Sequence, residues 1–280
     1  MKTILVPVDF SKPSENALKV AAQLANKNNA KIIVLHVVEL AESLFGTDQF
    51  NVDNQEVMFF MKMAKKRFSK FLEKPFLNNV DIQDLVEIGP TSYMITKTIK
   101  ENNIDFVVMG SVGASGLKEV LIGSNTEKIV RNSSVPVLVV KKEMENFNIK
   151  QVIFASNFEL ENLKSFRKAK EFANQFEAKM KLLYVNLPGN QFYSTEEIRE
   201  QMRVFLNKAE VPYTTDDVMI YNDYTIELGV LNAAKEAKAD LIAMPTHGRR
   251  GLSHFFNGSV GEDVVNHSTL PVITFKIDSK

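Results

Sequence analysis

One glycine-punctuated segment, Met109-GSVGASGLKEVLIGSN-Thr126, carries the clearest chemical potential in the chain. Gly110, Gly113, Gly123 and Ser124 fall there in the spacing G-x2-G-x9-G-S. Glycines lack Cβ atoms, so backbone N–H groups can come close to a ligand and adopt positive φ where needed. Gly123-Ser124 then opens a helical pattern, and the first N–H groups of a helix are unpaired and suited to phosphate. Ser124-x-x-Glu127 is equally a capping box, which needs no ligand. Two further glycines at the end of an apolar run tip the reading toward anion binding. The segment holds neither a G-x4-G-K-[ST] phosphate loop nor a compact G-x-G-x-x-G dinucleotide fingerprint.

Asp9 closes the first apolar run, as Pro7-Val8-Asp9. A carboxylate repels a polyphosphate, so its place is against a base or ribose, or on a bridging Mg²⁺. As a structural residue it would cap or turn the chain before Ser11-Lys12-Pro13. His36 lies in the apolar run that ends at Val37-Val38 and reads as a core histidine rather than a base. His247, His254 and His267 fit no helix-face pair, so no metal site is expected. Lys118 and Arg131, the cations nearest the loop, are expected to face solvent. No phosphate-loop lysine, arginine finger or general base stands out, so no catalytic residue is assigned.

These residues need elements to hold them. Short β-rich runs alternate with helical patterns, as in a parallel sheet with crossover helices. Strands are expected near Thr3–Val8, Lys31–Val38, Asp81–Ile88, Phe106–Met109 and Val137–Val140, most of them continuous apolar runs of the doubly covered kind. Helices are expected near Ser14–Asn28, Asn54–Leu72, Ser92–Asn102 and Ser124–Asn132. In the second of these, Val57, Met61, Ala64, Phe68, Phe71 and Leu72 form a stripe that reads as core-facing rather than as a partner-binding face. Ligands of such sheets sit at the carboxyl ends of the strands, where Asp9, Val37 and the glycine loop converge.

The whole pattern occurs twice. KTILVPVDFS (Lys2–Ser11) aligns with KQVIFASNFE (Lys150–Glu159) at a shift of 148, as do Lys31–Val37 and Lys179–Val185. Beyond one length change the shift is 135, matching Asp105 to Asp240, Met109 to Met244, Gly113 to Gly248, Gly123-Ser124 to Gly258-Ser259 and Glu127 to Glu262. The expected domains are 1–142 and 149–280, joined by the polar stretch Lys141–Asn148.

Composition agrees with two ordinary soluble domains: 280 residues, 45% hydrophobic and 24% charged. Thirty-four basic residues balance 34 acidic ones, which argues against a nucleic-acid binder that tracks phosphates. With no cysteine, disulfides, thiolate metal sites and cysteine nucleophiles are excluded. The N-terminus lacks the features of a secretory signal and the apolar runs are too short to span a membrane, so a cytoplasmic protein without membrane partners is expected.

The opening ILVPVDFS, the string LHVV and the segment MGSVGASGLKEVLIGSNTEKIVRNSSVPVLVV together resemble the universal stress protein family, over both halves. In that family G-x2-G-x9-G-[S/T] marks the ATP-binding members. The resemblance implies two tandem five-stranded parallel-sheet α/β domains, Rossmann-like, that pair through their last strands as a pseudo-dimer, with a further homodimer open. It implies adenine near Pro7, Val8, Asp9 and Val37, and ribose and phosphates on Met109, Gly110, Ser111, Gly113, Gly123, Ser124 and Asn125. The implied ligand is ATP, or ADP or AMP, with Mg²⁺ as a possible companion.

The second copy departs from the pattern. Asn157 replaces Asp9 and Pro245 replaces Gly110, while Gly248, Gly258 and Ser259 persist. Proline removes a backbone donor and fixes φ, and asparagine loses the charge. The second copy is therefore expected to bind nucleotide weakly or not at all and to serve as pairing partner, its Ser259-x-x-Glu262 acting only as a cap. The expected function is an ATP-binding stress-response regulator with no or very slow catalysis. A nucleotide-independent interaction scaffold and a slow ATPase are the alternatives; adenylyl-transfer strings of the HIGH or SGG-x-DS kind do not occur.

Overall fold

The computed structural model describes residues 1–39, 54–111, 123–212, 214, 217–246 and 259–277. The first half runs β1 (Thr3–Pro7), α1 (Lys12–Asn28), β2 (Lys31–Val38), α2 (Asn54–Leu72), β3 (Ile82–Ile88), α3 (Thr91–Glu101), β4 (Phe106–Gly110), α4 (Ser124–Asn132) and β5 (Val137–Val140). The second repeats it as β6 (Gln151–Ala155), α5 (Leu163–Asn174), β7 (Lys179–Asn186), α6 (Thr195–Ala209), β8 (Val218–Asn222), α7 (Ile226–Glu236), β9 (Leu241–Thr246), α8 (Ser259–His267) and β10 (Val272–Lys276). The strands form one ten-stranded sheet in the order β3-β2-β1-β4-β5-β10-β9-β6-β7-β8. Pairing is parallel throughout each half, and antiparallel at the central β5–β10 seam, where Leu138 faces Ile273.

Every strand but the two at the edges is covered on both faces, which explains the unbroken Val, Ile and Leu runs. Alternate residues feed two cores. Ile4, Val6, Leu138 and Val140 pack under α1, α2, α5 and α6, whereas Leu5, Val137 and Val139 pack under α3, α4, α7 and α8. The repeat reaches the backbone itself: Phe10 and Phe158, Asn29 and Glu177, and Asn103 and Lys238 share positive φ at equivalent positions. It also reaches a strap. Asp105 accepts from the N–H groups of Lys2 (2.7 Å) and Thr3 (3.0 Å), and Asp240 accepts likewise from Lys150 (2.8 Å) and Gln151 (2.9 Å). Each carboxylate ties the start of one strand to the foot of its neighbour.

The expectation for Arg131 needs correction, whereas that for the α2 stripe holds. The stripe on α2 faces the core as expected, with Ala64, Phe68 and Phe71 buried, whereas Met58, Phe59, Phe60 and Met63, which lie off that stripe, are exposed. The polar connection after β5 is pinned rather than loose. Phe147 is buried and donates its N–H to Gln23 Oε1 (2.6 Å), while Lys19 on α1 pairs with Glu143 and Glu145. Arg131 does not face solvent alone: it forms a two-pronged pair with Glu262 across the α4–α8 contact. That pair holds the guanidinium's pKa above its ordinary value, and it gives Glu262 a role beyond capping.

Candidate ligand site at the switch point of the first half

Strand order reverses on either side of β1, since β2 lies to one side and β4 to the other. The crevice at their carboxyl ends is where an open α/β sheet places its ligand. A cavity of about 480 Å³ occupies it, a size that suits a nucleotide. Pro7, Val8, Asp9, Val37, Met109, Gly110, Ser111, Gly123, Ser124 and Asn125 all line it. Gly113, the remaining residue expected there, lies outside the described residues, as do Lys118, His247 and His254. Ser11, Ser14, His36, Thr91, Ile95 and Thr126 also line the cavity. Thr91 and Ile95 come from α3, and no motif in the sequence points to them.

The turn after β1 is built around Asp9. Its Oδ1 accepts from the N–H of Ser11 (3.0 Å) and from the Ser11 hydroxyl, and Phe10 between them takes φ of 63°. Burial alone would raise the Asp9 pKa; the Ser11 bonds outweigh it and hold the carboxyl below its ordinary range. Asp9 is therefore a turn residue and a cavity wall at once. The cap of α1 is Ser11, whose hydroxyl accepts from the N–H of Ser14. Phe10 packs on His36 with ring centroids 4.4 Å apart and edge-on to Phe68 and Phe71. An aromatic at positive φ costs energy. Phe158 repeats it in the half that lacks Asp9, so the fold requires this turn whether or not a ligand is present.

His36 is half-buried and its Nδ1 lies 2.9 Å from the carbonyl of Val8. A carbonyl only accepts, so Nδ1 carries a proton and donates it to Val8. The expected core role holds for the ring's packing, although one edge reaches the cavity.

The two described glycines of the motif differ in physical reason. A Cβ at Gly110 would stand 2.0 Å from the carbonyl oxygen of Pro13, so this glycine lets α1 pack against the end of β4. Gly123 has nothing within 4 Å of the corresponding position and a φ of −53°, so neither packing nor backbone geometry demands a glycine. Open space facing a cavity is what a ligand requires. Neither residue uses positive φ. Gly123 is the N-cap of α4, Ser124 begins the helix, and no side chain caps it. The capping box is thus not formed, and the first N–H groups of α4 keep their capacity for an anion. Among the described residues lining the cavity there is no lysine or arginine, and Asp9 is the sole carboxylate.

The Universal stress protein family matches residues 1–141 and again 148–276, nearly the whole chain. The chain belongs to the universal stress protein family. A universal stress protein of Methanocaldococcus jannaschii is 30% identical over 155 residues, covering 51% of this chain and 96% of its own. One from Bacillus subtilis is 32% identical over 146 residues, covering 49% and 97%. Relatives of single-copy length thus match half of this duplicated chain. The crystal structure of a universal stress protein from Archaeoglobus fulgidus shares the fold across 99% of this chain and 98% of its own, with a TM-score of 0.75 at 23% identity. No described helix is long and apolar enough to cross a membrane, and the described residues contain no cluster of three metal-ligating side chains.

Proposed function

We propose that the first half binds an adenine nucleotide, foremost ATP, and that the chain is a stress-response regulator with no or very slow catalysis. The observation that carries this reading is the uncapped N-terminus of α4 opening, beside the unencumbered Gly123, on a nucleotide-sized cavity. Adenine rests against Pro7, Val8, Asp9 and Val37; ribose and phosphates lie along Met109, Gly110, Ser111, Gly113, Gly123, Ser124 and Asn125. Asp9, charged and held by Ser11, faces the uncharged end of such a ligand. Mg²⁺ would arrive on the phosphates, since one carboxylate does not make a cage. Slow or absent turnover fits the described residues of the cavity wall, none of which is an arginine or lysine that could take up charge in phosphoryl transfer. In the same reading residues 1–142 are the binding domain, residues 149–280 its pairing partner, the protein is cytoplasmic, and neither nucleic acid nor membrane is a partner.

One observation favours a second reading, an interaction scaffold independent of nucleotide: the exposed Met58, Phe59, Phe60 and Met63 of α2. Mass spectrometry of nucleotide released from freshly purified protein, followed by ATP titration, separates the two. About one adenine nucleotide per chain is expected from a single working site. An empty protein that also fails to bind ATP leaves the scaffold reading.

A further inference from the structure

Lys141 follows β5 directly and is buried, with 6% of its surface exposed. Sheet register puts it there: Gly110 pairs with Val140, the N–H of Ser111 donates to the carbonyl of Val140 (3.0 Å), and Lys141 is the next residue. Its ammonium donates to Ser111 Oγ (3.2 Å), a wall of the cavity, and to the carbonyl of Val265 in the last turn of α8. The antiparallel seam brings that helix end from the other half. Among the described residues no carboxylate pairs with Lys141. A buried ammonium without a counter-ion is costly, and a helix C-terminus offsets only part of that cost. Burial pushes its pKa down to about 8, in keeping with a charge short of its partner.

The second half makes the comparison. Thr246 pairs in register with Lys276 as Ser111 sits beside Lys141. Lys276 also crosses the seam, to the carbonyl of Asn132 at the end of α4 (3.3 Å). Yet the Thr246 hydroxyl is buried with no hydrogen-bond partner among the described residues. Both lysines close a helix of the opposite half; the bond to a cavity-wall hydroxyl forms beside the intact site.

We propose that Lys141 is a positioning residue of the nucleotide site: it fixes Ser111 and lends the site a buried positive charge for which the bound phosphates are the missing counter-ion. It thereby selects phosphorylated over unphosphorylated ligands. The inference rests on the nucleotide reading above. It also supplies a cation that the described residues of the cavity wall do not, from a position 30 residues beyond Ser111 in sequence.

Calorimetric titration of the full chain with ATP and with adenosine tests it, for wild type, Lys141→Met, Lys141→Gln and Lys141→Arg, each checked by circular dichroism. The Met and Gln variants are expected to bind ATP about tenfold more weakly with adenosine affinity unchanged, and Arg to recover most of the loss. Gln preserves donors toward Ser111 and Val265, so it isolates the charge should Met disturb folding. ATP affinity unchanged in Gln, or an Arg variant as weak as Gln, overturns the role of Lys141 while leaving the nucleotide reading intact. A wild-type chain that binds neither ligand removes both.

Discussion

At the carboxyl ends of their first strands the two halves fold the same turn around different side chains. In the first, Asp9 is held by Ser11 and stands open at a cavity wall. In the second, Asn157 is 2% exposed; its Oδ1 accepts from the N–H of Glu159 (3.2 Å) and from Asn162 Nδ2 (2.6 Å), and its carbonyl accepts from Gln201 on α6 (2.7 Å). Tyr184 replaces His36, fully buried, with burial pushing its phenol pKa up. What was a rim has become core. Loss of the aspartate's charge is thus one part of a larger change, in which helix α6 and its glutamine close over the turn that the first half leaves accessible. The duplicated fold keeps its scaffold, even its costly positive φ at Phe10 and Phe158, while the position of the exposed Asp9 in one half is taken by the packed Asn157 in the other.

The sharpest way to test the first half's side of this comparison is to separate its two kinds of glycine. Gly110→Ala would drive a methyl to 2.0 Å from the backbone of Pro13, an atom that cannot swing away. We expect a loss of about 3 kcal/mol or more in urea unfolding, with any loss of binding following from unfolding. The Cβ of Gly123→Asp meets no atom within 4 Å, and an aspartate suits the N-cap of α4, so stability should hold within about 0.5 kcal/mol. ATP affinity should nevertheless fall about 100-fold, because a carboxylate would sit where phosphates meet the start of α4. Retained ATP binding in Gly123→Asp would move the phosphates away from α4 and dissolve the contrast.

These two positions also mark how far the sequence is legible. Tandem halves, strand-helix alternation and the three segments that meet at the cavity follow from apolar runs, repeat matches and the glycine spacing, whereas the choice of its ten residues rests on the family resemblance. The reasons behind individual residues follow less well. Gly110 reads as room for a ligand, whereas its space is taken by the entry to α1, a contact between segments about 95 residues apart that no local pattern records. Ser124 reads as half of a capping box, but the helix starts one residue earlier and leaves the box unmade. Arg131 and Lys141 look like solvent-facing charges in a helix and a linker; their partners, Glu262 and Val265, lie across the seam. Such pairings depend on how β5 meets β10, and antiparallel register between two halves has no signature within either.

The smallest of the expected effects concerns that seam and has a definite sign in pH. Lys141 has a folded pKa of about 8, below the 10.5 of an unconstrained lysine, so between these values the unfolded chain binds the extra proton. Stability contributed by this group is therefore lowest below pH 8 and rises with pH across the window. The shift sets an upper bound on the order of 3 kcal/mol for the cost of the buried charge at neutral pH. Lys141→Met removes that cost together with two hydrogen bonds, so the unliganded variant should be more stable than wild type by about 1 kcal/mol at pH 7. The gap should narrow toward pH 10. Lys276→Met is the matched control, since Lys276 is only half-buried and donates to the carbonyl of Asn132. Urea unfolding of all three proteins at pH 7, 8.5 and 10 reads the difference. A Lys141→Met chain less stable than wild type at pH 7 would mean that the seam needs this lysine for its own cohesion. A more stable chain that binds ATP more weakly would mean that the first half keeps a strained charge in place for its ligand, a cost the second half, with Lys276 half-buried and turned to Asn132, does not carry.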